Sequence, residues 1–289
     1  MRAIKWGLLF VLALAMMSVS ACGQGNRTSS SLSPIQVLQN NTKAMKNLKT
    51  SHVDLNATSQ ISGANATGFE TPGNIDVALN GSGDQSLPDN QEKMDLTLTF
   101  DGFPAPVSEV ATGNKVYIQT PDGQWYSFDN TTFQQAGCGL ASFFTAPTID
   151  LTSLLVLIEH INITDHGDEN LHGQSLRHMT INMDKVALKQ LVLDNPKLKC
   201  EVGSQDLNTV KNFSSTVDVY IDEKQFYLHR SELQVNLGAD DNGQTTSSSS
   251  DLTIDLSNFN QPVTITAPAN ATPLTDPKQL LGPLSGLLK

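Results

Sequence analysis

The sequence predicts an α+β domain: a long antiparallel meander entered from one amphipathic helix and broken by two further helical excursions. Three observations carry that expectation. Apolar residues recur at helical spacing between Ile35 and Leu48 and again in two later stretches. Elsewhere they alternate with polar ones, as Met94, Leu96, Leu98 and Phe100 do with Asp95, Thr97 and Thr99, the mark of a strand with one buried and one wet face. Turn residues rich in Gly, Pro and Asp separate these alternating runs.

In chain order, Arg2 and Lys5 precede an apolar run from Trp6 to Met17, which closes on Val19-Ser20-Ala21-Cys22. A charged start, an apolar centre and small residues before a cut make a secretory signal. The run is shorter than the roughly 20 residues a spanning helix needs. Residues 1–21 are therefore expected to be a cleaved signal peptide. Residues 22–33, rich in Gly, Ser, Asn and Thr, form a flexible tether. Ser33 and Pro34 suit the N-cap and first position of a helix whose stripe is Ile35, Leu38, Met45 and Leu48, with Asn40, Asn41, Lys43 and Lys46 largely elsewhere.

The period then becomes two. Val53, Leu55, Ala57 and Ile61 form one strand, Ile75, Val77 and Leu79 another, and Met94 to Phe100 a third. Turns are expected at Ser62-Gly63, Pro72-Gly73, Gly81-Ser82-Gly83 and Asp101-Gly102. Shorter strands follow at 107–111, 115–119 and 124–128, the last two joined by Pro121-Asp122-Gly123. Leu140 to Ile163 is mostly apolar, and Asp150 would cap a helix through Leu151, Leu154, Leu155 and Ile158. With Val156 and Leu157 that helix is apolar almost all round, so it must be well covered or face a ligand. A strand through Met179, Ile181 and Met183 leads to a second excursion, Asp184 to Asp194, with Ala187, Leu188, Leu191 and Val192 as its stripe and Pro196 beyond it.

Strands return at Val217 to Ile221 and at Phe226 to Leu237, with a change of parity that implies a bulge near Arg230–Glu232. The polar stretch Gly238 to Ser250 reads as a long hairpin loop, Leu252 to Leu256 as its return strand, and Val263 and Ile265 as a last strand. One domain, 34–268, is expected, followed by a tail, 269–289, rich in Pro and Leu.

The formal charge of -11 moves to about -13 once Arg2 and Lys5 leave with the signal. So acidic a chain repels phosphate backbones and anionic bilayers, which argues against nucleic acid and against electrostatic spreading on a membrane. Cys138 and Cys200 remain in the mature chain. In an oxidising compartment such an isolated pair most often forms a disulfide, with two buried thiols or a metal pair as rival readings. His160, His166, His172 and His178 sit amid Asp165, Asp168 and Glu169. They lack the i, i+4 spacing of a zinc helix, and Gly167 and Gly173 interrupt any single face, so a solvated polar loop is expected and no metal. No Gly-x-Ser-x-Gly, phosphate-binding Gly loop or His-Glu-x-x-His occurs, so nothing points to an enzyme.

Two segments carry a resemblance to a known family. Val19-Ser20-Ala21-Cys22 resembles the lipobox of bacterial lipoproteins, in which the Cys takes a diacylglyceryl group and becomes the mature N-terminus. Ala44-Met-Lys-Asn-Leu-Lys-Thr-Ser-His-Val-Asp-Leu55, running from helix into strand, resembles the LolA-like lipoproteins, most closely the mycobacterial LppX/LprG-type group. The resemblance implies a single curved antiparallel β-sheet, an unclosed half-barrel, with helices covering the concave face. It further implies lipid attachment at Cys22, placement on the extracytoplasmic face of the cell membrane, and an apolar cavity for a lipid or glycolipid ligand, with no cofactor. Phe143, Phe144, Leu154, Leu155, Ile158, Leu188, Leu191 and Val192 are the candidates for the helix-side wall. An interaction or envelope-sensing module with a solid core and an envelope partner protein is the alternative on the same fold.

Overall fold

Ser33 opens α1 (Pro34–Lys46) with a reciprocal cap: its Oγ accepts from the Gln36 amide at 3.3 Å, and Gln36 Oε1 accepts from the Ser33 amide at 2.8 Å. In the computed structural model, residues 32–63, 73–129, 161–194, 210–241, 244–275 and 279 are described. The strands are β1 (Thr50–Gly63), β2 (Gly73–Ser86), β3 (Gln91–Phe100), β4 (Phe103–Thr112), β5 (Lys115–Gln119) and β6 (Trp125–Asp129), then β7 (Ile161–Leu171) and β8 (Gln174–Met183). After α2 (Lys185–Asp194) come β9 (Val210–Ile221), β10 (Leu228–Asp241), β11 (Gln244–Ser257) and the short β12 (Thr272–Pro273).

All the strands belong to one curved, unclosed sheet in the order β12-β6-β5-β4-β3-β2-β1-β11-β10-β9-β8-β7. Two meanders, β1–β6 and β7–β11, join where β1 pairs antiparallel with β11 from His52↔Ser257 to Ser62↔Ser247. Among the described residues, only β12 on β6 is parallel. Two connections are two-residue turns with positive φ at both positions: Asp101 (46°) with Gly102 (83°), and His172 (51°) with Gly173 (83°).

Alternation gives the sheet one apolar and one polar face. The core joins Val37, Leu38, Met45 and Leu48 from α1 and the segment after it, and Ala187 from α2, to Leu55, Met94, Leu96, Met179, Ile181, Val217, Val219, Leu252 and Ile254 on that apolar face. Both described helices therefore pack on the same side. A second cluster of Val107, Ala111, Val116, Ile118 and Phe128, with Tyr126 and Leu274 against it, extends the core under β4–β6.

Several expectations are corrected by the fold. The buried stripe of α1 is Val37, Leu38, Asn41, Thr42 and Met45, so Asn41 faces inward, where its Nδ2 donates to the Phe226 carbonyl at 2.8 Å. Gly81-Ser82-Gly83 is not a turn but the middle of β2. There β3 comes so close that a Cβ on Gly83 would collide with the Lys93 carbonyl, and one on Gly81 with that of Asp95. The stretch from Gly238 is strand, with β10 and β11 paired as far as Asp241↔Gln244. The parity change of β10 falls slightly earlier than expected, at a register shift between Leu228 and Arg230. Val263 and Ile265 form no strand, and the ladder is instead extended by β12 at the start of the expected tail. The four-histidine segment is no loop beyond His160, which lies outside the described residues: it is the β7–β8 hairpin.

Candidate functional site

The register carries one row of aliphatic side chains across the apolar face. From β4 to β7 it runs Ala105, Leu98, Leu79, Ala57, Leu252, Leu233, Val217, Ile181 and Ile163, each directly opposite the next. At about 4.8 Å between strands, these nine positions span about 38 Å. Two same-face positions further from α1, a second row, Ile75, Ile61, Leu237 and Phe213, crosses β2, β1, β10 and β9, interrupted at Ser248 of β11. Its members are half-buried. Phe213 and Leu237 also border a groove of about 670 Å³, together with Lys185, Lys211 and polar side chains such as Gln60, Asn236 and Ser249.

Two carboxyls interrupt this apolar surface. Glu92 of β3 and Glu109 of β4 share the face, Glu109 lying opposite Met94 and Ile118 and Glu92 opposite Ala111. They are 6% and 1% exposed, and Oε2 of each lacks a hydrogen-bond partner. Burial pushes Glu92 up from 4.5 to about 8. Burial and the neighbouring Glu92 charge together raise Glu109 well above the carboxylate range. A third polar intrusion is fully paired. Arg177 of β8 donates through Nε to Asp165 Oδ1 at 2.7 Å and through Nη2 to Asp165 Oδ2 at 2.5 Å, with Glu223 at 3.5 Å from Nη1. Burial opposes its charge, but Asp165 and Glu223 outweigh it and hold the guanidinium protonated.

On the opposite, polar face the hairpin and β9 stack three rings. His166 lies over His178 with centroids 4.4 Å apart, and His178 over Tyr220 at 4.4 Å and nearly parallel. His178 Nε2 is 3.0 Å from Asp218 Oδ1, and its Nδ1 is 3.1 Å from Glu169 Oε1 without the alignment of a hydrogen bond. Burial works against a charge on His178, yet Glu169 and Asp218 raise its pKa above the ordinary histidine value. Thr180 Oγ1 bonds both His166 Nε2, at 2.8 Å, and Asp218 Oδ1.

Of the residues singled out from sequence, Cys22, Cys138, Cys200, Phe143, Phe144, Leu154, Leu155 and Ile158 lie outside the described residues, and Leu188, Leu191 and Val192 fall within α2. The model of a family of unknown function (DUF6612) matches residues 33–273. The chain belongs to that family. No curated protein matches it in sequence. Among solved structures, this DUF6612 chain is similar to the lipoprotein LppX of Mycobacterium tuberculosis, with 14% identity over 80% of this chain and 96% of that one and a TM-score of 0.42. It is also similar to LprF of Mycobacterium bovis, with 17% identity over 81% and 96% and a TM-score of 0.39. No helix among the described residues is long and apolar enough to cross a membrane.

Sequence reasoning missed Glu92 and Glu109, although their signal is present. Glu92-x-Met94-x-Leu96 and Val107-x-Glu109-x-Ala111 put both on the apolar parity of strands that the alternation marks. The gathering of His166, His178 and Asp218 had no such local signal, because three strands supply it.

Proposed function

We propose that this chain is a lipid-anchored lipoprotein on the extracytoplasmic face of the cell membrane, and that it binds or carries a lipid or lipidated molecule between the apolar sheet face and the helices, without catalysis. The observation that carries the reading is the unbroken aliphatic row across nine strands. A face that wide must be covered by something apolar, and an acyl chain is a cover of the right chemistry. The half-buried Ile75, Ile61, Leu237 and Phe213 support a mouth at the end away from α1. Cys22 supplies the anchor, residues 22–33 the tether, and Cys138 with Cys200 a disulfide across the two helical excursions. Phe143, Phe144, Leu154, Leu155, Ile158, Leu188, Leu191 and Val192 form the helix-side wall.

Native mass spectrometry of protein extracted from cells tests the ligand. Acyl-bearing species that leave on delipidation are expected. A protein that stays empty and takes up no fluorescent fatty acid would favour a solid interaction or envelope-sensing module instead. Metabolic labelling with a palmitate analogue tests the anchor, and a Cys22→Ala form carrying as much label as the parent would overturn it.

A further inference from the structure

We propose that His166, His178 and Asp218 form a binding site for a divalent transition-metal ion on the polar face of the sheet, independent of the lipid reading. Their donor atoms lie within 4.8 Å of one another, all three side chains being half-buried. Around a tetrahedral zinc such atoms stand about 3.3 Å apart, so modest side-chain rotation closes the site. Two imidazoles and one carboxylate are a ligand set for zinc or copper rather than for calcium or magnesium, and a fourth position stays open for water.

The backbone and the neighbours argue for a built site rather than a chance meeting. Asp165 pairs with Met179 and Gly167 with His178, so His166 is the extra residue of a β-bulge, a device that re-aims a side chain beside a functional site. The bulge lets the His166 ring lie over His178 rather than beside it. Tyr220 holds the other side of the His178 ring at 4.4 Å. With Nε2 of His178 turned to Asp218, its Nδ1 is left 3.1 Å from Glu169. A small turn of the Glu169 carboxylate would let it accept from that Nδ1–H and orient a metal-bound histidine. The Thr180 hydroxyl bonds both His166 and Asp218 and so steadies the carboxylate ligand. The ion would take the place of the hydrogen bond between His178 Nε2 and Asp218 Oδ1. The chain's charge of -11 favours cation approach.

Calorimetric titration of the chelator-treated full chain with Zn²⁺ alone tests the site, with Co²⁺ and its visible absorption reporting the ligand geometry. One ion per chain is expected. His178→Ala and Asp218→Asn should each weaken binding by at least about 10-fold. His52→Ala, which removes the separate His52–Asp84 pair 2.8 Å apart, should leave it unchanged. If His178→Ala loses its strand signal in circular dichroism, His166→Gln on the edge strand replaces it. Absence of saturable binding, or binding that survives both His166→Gln and Asp218→Asn, would overturn the proposal.

Discussion

Replacing Glu92 by Gln should flatten the pH dependence of stability, because Gln keeps the shape and cannot ionise. In the folded chain the carboxyl titrates at about 8 rather than 4.5, through burial. Between those two values the folded protein holds a proton that the unfolded chain has released. Stability is therefore full below pH 4.5 and falls as pH rises to about 8. At about 1.4 kcal/mol per pH unit, the loss reaches about 5 kcal/mol, a large share of the roughly 5–15 kcal/mol of a typical domain. Urea unfolding midpoints at a series of pH values between these limits measure it. The parent should lose stability steadily across the window, and Glu92→Gln should lose markedly less. Near the acid end the variant should match the parent to within about 1 kcal/mol, the cost of placing an amide where a carboxyl stood. A residual slope should remain from Glu109, which burial alone keeps raised, and the double variant Glu92→Gln, Glu109→Gln should remove it. If the single variant ran parallel to the parent at every pH, the buried carboxyl would not be the cause of the slope.

Asp165→Ala removes the two-pronged partner of Arg177 on the apolar face, leaving Glu223 at 3.5 Å and the Asp168 charge, and should cost about 3–5 kcal/mol in a urea melt. Gly83→Ala forces a methyl against the Lys93 carbonyl and should cost about 1–3 kcal/mol, more than the same change at Gly238, where a Cβ would meet only Asn212 at 3.6 Å. Asn41→Ala removes the bond to the Phe226 carbonyl and should lower stability by about 1–3 kcal/mol, read as a lower thermal midpoint.

What could be read from the chain divides by how local its cause is. The cap of α1 needs only Ser33, Pro34 and Gln36, and it forms as the sequence predicts. The burial phase of the same helix depends on what it meets. Asn41 turns inward because the Phe226 carbonyl, 185 residues away, needs a donor. Strand alternation is likewise local, and the apolar parity it predicts for β1 to β3 is the one the sheet shows. Strand ends were less legible where both faces are polar: β10 and β11 continue past Val235 on Ser, Thr and Asn pairs such as Asn236↔Ser249. The hydroxyls of Ser59 and Ser250 meet there at 2.9 Å, and nothing in a period-two apolar pattern marks such a ladder. Gly81 and Gly83 misled because glycine marks a tight turn and a close backbone approach alike.

The two faces of the sheet failed to announce their chemistry for different reasons. A carboxylate at an inward position breaks the apolar alternation, so Glu92 and Glu109 could be found by carrying the parity of Met94 and Val107 outward. Their burial raises both above the ordinary carboxylate range, so this apolar surface favours the neutral acid over the carboxylate. On the polar face, histidines and acids are the ordinary residues of a wet surface. Only the pairing of β7 with β8, the pairing of β8 with β9, and the bulge at His166 turn scattered polar residues into a cluster. The sheet register that lines up the aliphatic row on one side thus also gathers His166, His178 and Asp218 on the other. A slip of one residue between β8 and β9 would reverse the faces of every side chain on one strand relative to the other. It would end the row at Val217 and separate His178 from Asp218 in the same step.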